Sequence, residues 1–82
     1  MKLNIYKFGT HCYIAFEKYQ RDYQIAKILS LTLEEYKNIL LNYNACQPDN
    51  TYEDYYFYYQ KDALKAIKKL EPLVIIMATL TE

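Results

Sequence analysis

The hydrophobic pattern of this chain changes its period after about residue 16, and that change restricts the fold more than any other feature. Residues 2–8 are rich in strand-forming side chains, and Cys12, Ile14 and Phe16 then recur at every second position. Gly9, Thr10 and His11 lie between the two segments. A short loop that contains glycine between two strand patterns predicts a β-hairpin at the start of the chain.

Helical spacing follows the hairpin pattern. Apolar side chains predict a helix over about residues 17–29, although residues 24–31 can also be read as a strand. Thr32 and Glu35 then have the spacing of a capping box, which predicts that a second helix begins at this point. Asn42 and Asn44 suit a left-handed residue at its end.

The second half of the chain predicts a loop, a strand, a helix and a last strand. Residues 46–51 are typical of a loop, and the aromatic run at residues 55–59 favours a strand. Residues 62–70 have helical spacing, with Ala63, Ala66, Ile67 and Leu70 on the inward side. Pro72 is expected to end that helix before an apolar strand over residues 74–80. The predicted fold is a single α+β domain over residues 1–82, in the order β-β-α-α-β-α-β, with a mainly antiparallel sheet and the helices on one side.

The net charge of the chain argues against a general attraction to nucleic acid or to anionic membranes. Ten Lys and Arg balance ten Asp and Glu in the 82 residues. The balance is uneven, because residues 1–31 carry five basic and two acidic side chains, whereas residues 32–60 carry one and five. Direct nucleic-acid binding is therefore not expected, while local electrostatic recognition stays open.

Cysteine content and hydropathy point to a cytoplasmic protein. Cys12 and Cys46 can form one bridge at most, and their apolar neighbours favour buried free thiols in a reducing compartment. The longest apolar run, residues 73–80, is much shorter than the roughly 20 residues that span a bilayer. We therefore expect no contact with a membrane.

Candidate catalytic residues are few. The chain has one His, one Ser and one Gly, and it lacks the glycine-rich and nucleophile motifs of common enzyme classes. His11, Cys12 and Cys46 are the residues that a thiol enzyme or a metal protein would use, but a structural zinc site takes four such ligands. We expect a protein without catalytic activity and without a cofactor or metal.

A helix-turn-helix DNA reader is the alternative for residues 22–41. Their apolar spacing is similar to the generic helix-turn-helix signature, with Ser30 where that family usually has glycine. The second helix would direct Glu34 and Glu35 towards the DNA, and Lys37 is its one cation. Because carboxylates repel a phosphate-lined groove, a helical hairpin that packs on itself explains the pattern better.

Tyrosine is the most unusual feature of the composition, with eleven residues in the chain. Five of them lie between positions 52 and 59, next to two carboxylates, and interfaces favour tyrosine. This segment predicts a partner-binding surface formed by Tyr52, Glu53, Asp54, Tyr56 and Tyr58. The alternative is that these tyrosines replace phenylalanine at half-buried positions. An exposed aromatic strand can also pair with a second copy in a homodimer.

A second charged surface is predicted on the last helix. Four lysines recur there at helical spacing and form a basic ridge, made of Lys61, Lys65, Lys68 and Lys69. Such a ridge is usually a solvated helix face. It can also serve as a docking stripe for an acidic partner or for RNA.

The order of segments from Tyr55 to Thr81 resembles that of small accessory proteins of bacteriophages and prophages of low-GC bacteria. In this stretch an aromatic strand precedes a Lys/Ala helix, a Leu-Glu-Pro sequence and an apolar strand. The resemblance implies a phage or mobile-element protein, and many of these inhibit host proteins, anti-CRISPR proteins among them. The expected function is therefore binding and inhibition of a host defence protein, for example a nuclease, through the tyrosine and acidic surface.

Overall fold

The chain folds into an α+β domain with a two-stranded antiparallel sheet and three helices, and this confirms the fold class predicted from the sequence. A computed structural model describes residues 2–49 and 54–81, and residues 73–81 by their backbone. The elements are β1 (Asn4–Phe8), β2 (His11–Ala15), α1 (Asp22–Ile28), α2 (Leu33–Asn42) and α3 (Gln60–Thr81). The order is therefore β-β-α-α-α.

Gly9 and Thr10 form the tight turn of the predicted hairpin. Gly9 adopts a φ of +61°, a left-handed conformation that glycine reaches without the steric cost of a Cβ. Phe8 lies opposite His11, and the register continues to Asn4 opposite Ala15. Because side chains alternate along a strand, the hairpin has a core face and an outer face.

Helix α1 begins at Asp22, five residues later than the helical spacing predicts. Residues 17–20 form a turn instead, because Tyr19 is left-handed with φ 67° and the Gln20 side chain accepts hydrogen bonds from the backbone N–H groups of Phe16 and Glu17. The strand alternative for residues 24–31 is wrong. The helix ends in a Schellman motif, in which Ser30 has φ 59° and the N–H of Leu31 donates to the carbonyl of Ala26.

The capping box at the start of α2 is confirmed. The Thr32 hydroxyl accepts a bond of 3.0 Å from the Glu35 N–H, and the Glu35 carboxylate accepts one of 3.0 Å from the Thr32 N–H. The bond from the Thr32 N–H to the carboxylate, followed by an interaction of the Thr32 hydroxyl with the same carboxylate, lowers the pKa of Glu35. Asn44, with φ 66°, is the left-handed residue that follows the helix.

The strand predicted for residues 55–59 is wrong as an element, because only Tyr56 and Phe57 pair with other backbone. Tyr56 forms an isolated bridge with Cys46, and Phe57 forms one with Cys12. The two residues face different partners, and α3 begins at Gln60. The aromatic segment is therefore too short and too bent to form a continuous ladder on either side.

The last strand predicted for residues 74–80 is also wrong, since these residues continue α3. An apolar run of eight residues fits a buried strand or a helix equally well, because it has no period of its own. Pro72 does not end the helix but lies within it, exposed at the surface. In the part of the chain that the structure describes, no helix is long and apolar enough to cross a membrane.

The helices cover the core face of the hairpin, where Cys12 and Ile14 are buried. Helix α3 contacts both strands, and α1 contacts α2. The inward residues predicted for α3 are confirmed. The buried cluster includes Leu3, Cys12, Ile14, Ile25, Leu29, Tyr36, Leu40, Phe57, Ala63, Ala66, Ile67 and Leu70.

Removing the capping hydroxyl is expected to weaken α2. The Thr32→Ala variant loses the acceptor for the Glu35 N–H, so its free energy of unfolding should fall by about 1 kcal/mol in a urea titration. Thr32→Ser keeps the hydroxyl and should lose much less. Equal unfolding midpoints for the alanine and serine variants would contradict a role for the capping bond.

Candidate functional site

The outer face of the hairpin is aromatic. Tyr6 and Phe8 of β1 lie on this face, and so do His11 and Tyr13 of β2, because Tyr6 is paired with Tyr13 and Phe8 with His11. Ala15, which follows on the same face of β2, is buried. The alternation that directs Cys12 and Ile14 into the core thus places four rings together on the opposite side.

Three tyrosines from outside the hairpin extend this group of rings. Tyr19 approaches Phe8, with ring centroids 5.7 Å apart, and Tyr56 stacks on His11 at 3.8 Å with the two planes only 13° apart. Tyr58 stands edge-on to Tyr56 at 5.3 Å. We call the resulting surface the aromatic face, and it consists of Tyr6, Phe8, His11, Tyr13, Tyr19, Tyr56 and Tyr58.

Solvent reaches much of the aromatic face. Tyr19 is 74% exposed and Tyr58 is 53% exposed, and Phe8 is also exposed at the edge of the hairpin. Contiguous exposed aromatic surface on a small domain is a common sign of an interaction site. Mutual ring packing holds these side chains, so a partner would order few of them on binding.

A pocket of about 380 Å³ opens within the aromatic face. Four rings form half of its lining, Ala15 contributes a small side chain, and the other three lining residues are polar or charged. The lining residues are Tyr6, Phe8, Tyr13, Ala15, Tyr19, Gln20, Arg21 and Asp54. Its size and its mainly apolar wall with a few polar groups are typical of binding pockets.

Asp54 at the edge of the pocket is bound to the start of α1. Its carboxylate accepts from the Arg21 Nε, at 3.1 Å to Oδ2, and from the backbone N–H of Asp22, at 3.1 Å to Oδ1. Asp22 in turn accepts a bond of 2.9 Å from the backbone N–H of Tyr55. The two carboxylates therefore fasten residues 54 and 55 to α1, immediately before Tyr56 joins the aromatic face.

The Asp22 carboxyl group is buried, and its burial raises the pKa to about 6 from an ordinary 3.8. The hydrogen bond from Tyr55 lowers the pKa and the nearby charge of Asp54 raises it, but loss of hydration is the largest effect. The contact that fixes residues 54 and 55 thus carries an electrostatic cost at neutral pH.

Tyr36 lies in the core with no hydrogen-bond partner for its hydroxyl among the described residues. Burial, followed by the charges of Asp22 and Asp54, raises its pKa well above the ordinary value of 10. The hydroxyl therefore stays protonated, and it occupies the core without the bond that a buried donor normally makes.

The predicted partner-binding residues have different surroundings. Tyr56 and Tyr58 belong to the aromatic face, whereas the Asp54 carboxylate is bound to Arg21 and to α1. Tyr52 and Glu53 lie outside the described residues. The buried member of the aromatic run is Phe57, and Tyr59 is exposed away from the hairpin rings.

The tyrosine run at residues 52–59 predicted only two members of the aromatic face, Tyr56 and Tyr58. The alternation in the hairpin was a sufficient signal for Tyr6, Phe8, His11 and Tyr13, because residues separated by two share a face. Tyr19 had no such signal. Its position depends on a left-handed backbone that a non-glycine residue seldom adopts.

No known protein family, curated protein or solved structure shows a significant match to this chain.

The basic ridge lies on the exposed side of α3, opposite the buried alanines. Lys61, Lys65, Lys68 and Lys69 are all exposed. Lys61 also lies over the ring of Tyr59, 5.6 Å from its centroid. The ridge is accessible to solvent along two turns of the helix.

The candidate thiol and metal residues are divided between two environments. Cys12 is buried on the core face, while the neighbouring His11 stacks on Tyr56 on the outer face. Cys46 is a half-buried free thiol whose backbone pairs with Tyr56. Across residues 2–49 and 54–81, no three His, Cys, Asp or Glu side chains are grouped so that they can hold a metal ion.

Replacing the buried carboxyl should remove a pH dependence. Because the pKa of Asp22 is raised in the folded state, its contribution to stability is largest below about pH 4 and is lost as the pH rises to about 6. Asp22→Asn keeps an oxygen that can accept from Tyr55. We expect it to raise the free energy of unfolding at pH 7 by up to about 3 kcal/mol, and to have little effect near pH 4.

Urea titrations between pH 4 and pH 7 measure this difference. The control is Glu34→Gln, which removes an exposed carboxyl on α2. It should retain the pH dependence of the unchanged protein. If the Asp22→Asn variant shows the same stability difference between the two pH values as the unchanged protein, the raised pKa is wrong.

Removing the unpartnered hydroxyl is expected to stabilise the core. Tyr36→Phe keeps the ring and removes a buried donor without an acceptor, so the free energy of unfolding should rise by about 1 kcal/mol. Tyr23→Phe removes a hydroxyl from an exposed ring and should change little. Thermal and urea unfolding measure both, and a loss of stability in the Tyr36→Phe variant would show that the hydroxyl has a partner.

Proposed function

We propose that this chain is a non-catalytic protein-binding domain and that the aromatic face is its binding surface. The observation that carries the proposal is the contiguous, solvent-exposed group of rings on the outer side of the hairpin, four of which line a pocket. Tyrosine is favoured at interfaces because it offers a large contact area and a hydroxyl with few rotatable bonds. A pocket within such a surface suits one anchoring side chain of a partner.

The size of the domain is compatible with this role. Its accessible surface is 5755 Å², and a standard interface takes about 800 Å² from each partner. The aromatic face and its surroundings can supply that area. The basic ridge on α3 is a second accessible surface, suited to an acidic partner or to RNA, and its exposure supports that secondary role.

The resemblance to phage and prophage accessory proteins extends the proposal. In this form the chain is a mobile-element protein that acts in the cytoplasm and inhibits a host defence protein by occupying its surface. The aromatic face supports inhibition by occupation, which requires a stable contact surface and no catalytic group.

A DNA-binding regulator that uses residues 22–41 is the alternative. One observation favours it, because Ser30 adopts the left-handed conformation of the glycine that is usual in a helix-turn-helix. The charge of α2 opposes it. Glu34 and Glu35 are exposed in its first turn, and the hydrogen bonds that lower the pKa of Glu35 keep that carboxylate ionised. The protein-binding proposal therefore has more support.

Loss of two exposed rings should abolish or weaken partner binding. The tagged protein is used to capture proteins from a lysate of a low-GC bacterium, and the Kd of a captured protein is then measured. Tyr19→Ala combined with Tyr58→Ala removes the two most exposed rings of the aromatic face. We expect this variant to bind at least about tenfold more weakly, since interface tyrosines in well-packed surfaces often contribute more than about 1 kcal/mol each.

The matched control replaces two tyrosines of similar exposure elsewhere. Tyr23, 61% exposed on α1, and Tyr59, 65% exposed before α3, make no ring contact with the aromatic face. Tyr23→Ala with Tyr59→Ala should retain the Kd of the unchanged protein. An equal loss in both double variants, or no loss in either, would show that the aromatic face is not the binding surface.

A further inference from the structure

The backbone bonds of Cys12 reveal which groups of β1 are unpaired. The Cys12 N–H donates to the Phe57 carbonyl at 2.7 Å, and the Phe57 N–H donates to the Cys12 carbonyl at 2.8 Å. Both polar groups of Cys12 therefore point away from β1, although Lys7 lies directly opposite. In an antiparallel pair such residues alternate with those that exchange hydrogen bonds between the strands.

The same alternation gives the direction of the N–H and carbonyl groups of the other β1 residues. Asn4, Tyr6 and Phe8 direct their N–H and carbonyl groups to β2, whereas Ile5 and Lys7 direct theirs to the other edge of the hairpin. No backbone or side chain of the described residues forms a hydrogen bond with the N–H or carbonyl of Ile5 or Lys7. The outer edge of β1 thus presents two donors and two acceptors at strand spacing.

This edge borders the aromatic face. Tyr6 and Phe8 contribute their side chains to the pocket from β1 itself. A further strand beside β1 would place every second side chain on the same side of the sheet as these two rings. Backbone bonds and side-chain contacts would therefore come from one docking event, as in proteins that bind a peptide by adding a strand to a sheet.

Charge identifies the kind of segment that suits the edge. Residues 2–16 contain Lys2 and Lys7 and no Asp or Glu, so this part of the chain carries a net positive charge. Lys7 is exposed on β1, between Tyr6 and Phe8. A second copy of the same strand, paired about Lys7, would place two lysines of like charge opposite each other, whereas an acidic side chain opposite Lys7 is favourable.

We propose that β1 binds an extended, acidic segment of a partner protein as an antiparallel third strand. The segment has the order apolar, acidic, apolar, with the acidic residue opposite Lys7 and the apolar residues opposite Tyr6 and Phe8. The two apolar side chains then contact the aromatic face and its pocket. This inference rests on the proposed protein-binding function and defines the partner's chemistry.

A synthetic peptide tests the added strand directly. The probe is acetyl-Glu-Thr-Phe-Glu-Phe-Thr-Glu-amide, which reads the same in both directions and places its central glutamate opposite Lys7. Amide hydrogen exchange followed by NMR should show at least about tenfold slower exchange at the N–H groups of Ile5 and Lys7 when the peptide is saturating. A control peptide of the same composition with its two phenylalanines adjacent should bind at least about tenfold more weakly.

Methylation of the peptide backbone separates strand addition from contact between side chains. In the proposed register the central glutamate N–H donates to the Lys7 carbonyl, while the N–H groups of the flanking phenylalanines point away from β1. N-methylation of the central glutamate should weaken binding at least about tenfold. N-methylation of the second phenylalanine, as the matched control, should have a much smaller effect.

Substitutions of the protein test the same contact from the other side. Lys7→Pro removes one outward N–H and the charge without removing a bond of the β1–β2 ladder, and proline is tolerated at such edge positions. Lys7→Gln removes only the charge. Proline should weaken binding of the probe at least about tenfold and glutamine less, with the glutamine variant less sensitive to salt.

Three results would overturn the proposal. They are equal affinity for the alternating and control peptides, no binding of the alternating peptide, and binding without slower exchange at Ile5 and Lys7. The third result would leave the proposed function intact if the loss of Tyr19 and Tyr58 still weakens binding of the captured protein. Slower exchange at Ile5 and Lys7 that grows with protein concentration alone would assign the edge to a second copy instead.

Discussion

The structure depends on the backbone pairing of two adjacent residues, Tyr56 and Phe57, with two different parts of the chain. Phe57 exchanges two hydrogen bonds with Cys12 in the hairpin, and Tyr56 exchanges two with Cys46 after α2. Neighbouring residues in extended backbone direct their polar groups to opposite sides. One short segment therefore joins the hairpin to the end of the helical pair and leads directly into α3.

This pairing also determines where the aromatic face lies. The Phe57 side chain enters the core, so that of Tyr56 projects to the outer side and stacks on His11. The same bonds occupy the free edge of β2 at Cys12 and leave the edge of β1 without a partner among the described residues. The aromatic face and the unpaired edge are thus two consequences of a single contact, and they meet at Tyr6 and Phe8.

Two polar side chains are buried near this contact at a cost in stability, and one of them also holds residues 54 and 55 in position. Asp22 is buried to hold the N–H of Tyr55, and its raised pKa records the loss of hydration. Tyr36 contributes another buried polar group that has no bond among the described residues. An apolar core would avoid both penalties, but it would not fasten residues 54 and 55 to α1 through directional bonds. These bonds hold residues 54 and 55 immediately before Tyr56, at some expense in stability at neutral pH.

Local signals were sufficient to predict the hairpin, the capping box of α2 and the inward side of α3, because each depends on residues a few positions apart. Two predicted strands were wrong, and both came from segments whose local pattern was ambiguous. The aromatic run favoured a strand by composition, yet its pairing partners, Cys46 and Cys12, lie far away in the sequence and on different sides. The apolar run after Pro72 has no hydrophobic period. Pro72 was expected to end the helix, but α3 continues past it to Thr81. The aromatic face was in principle predictable from hairpin alternation, whereas the contribution of Tyr19 required a left-handed residue that only the folded chain reveals.

Exposed tyrosine favours nonspecific association less than exposed phenylalanine does. Exposed phenylalanine at the same positions would favour indiscriminate association, because its ring has no group that water can bind. The hydroxyl groups keep the outer ends of the rings hydrated, and their faces remain available to a partner. Lys7 has the same effect at the edge of β1, since its charge disfavours pairing with another copy. Both features disfavour association between copies of the chain, and this explains how an open strand edge and a cluster of exposed rings can occur side by side.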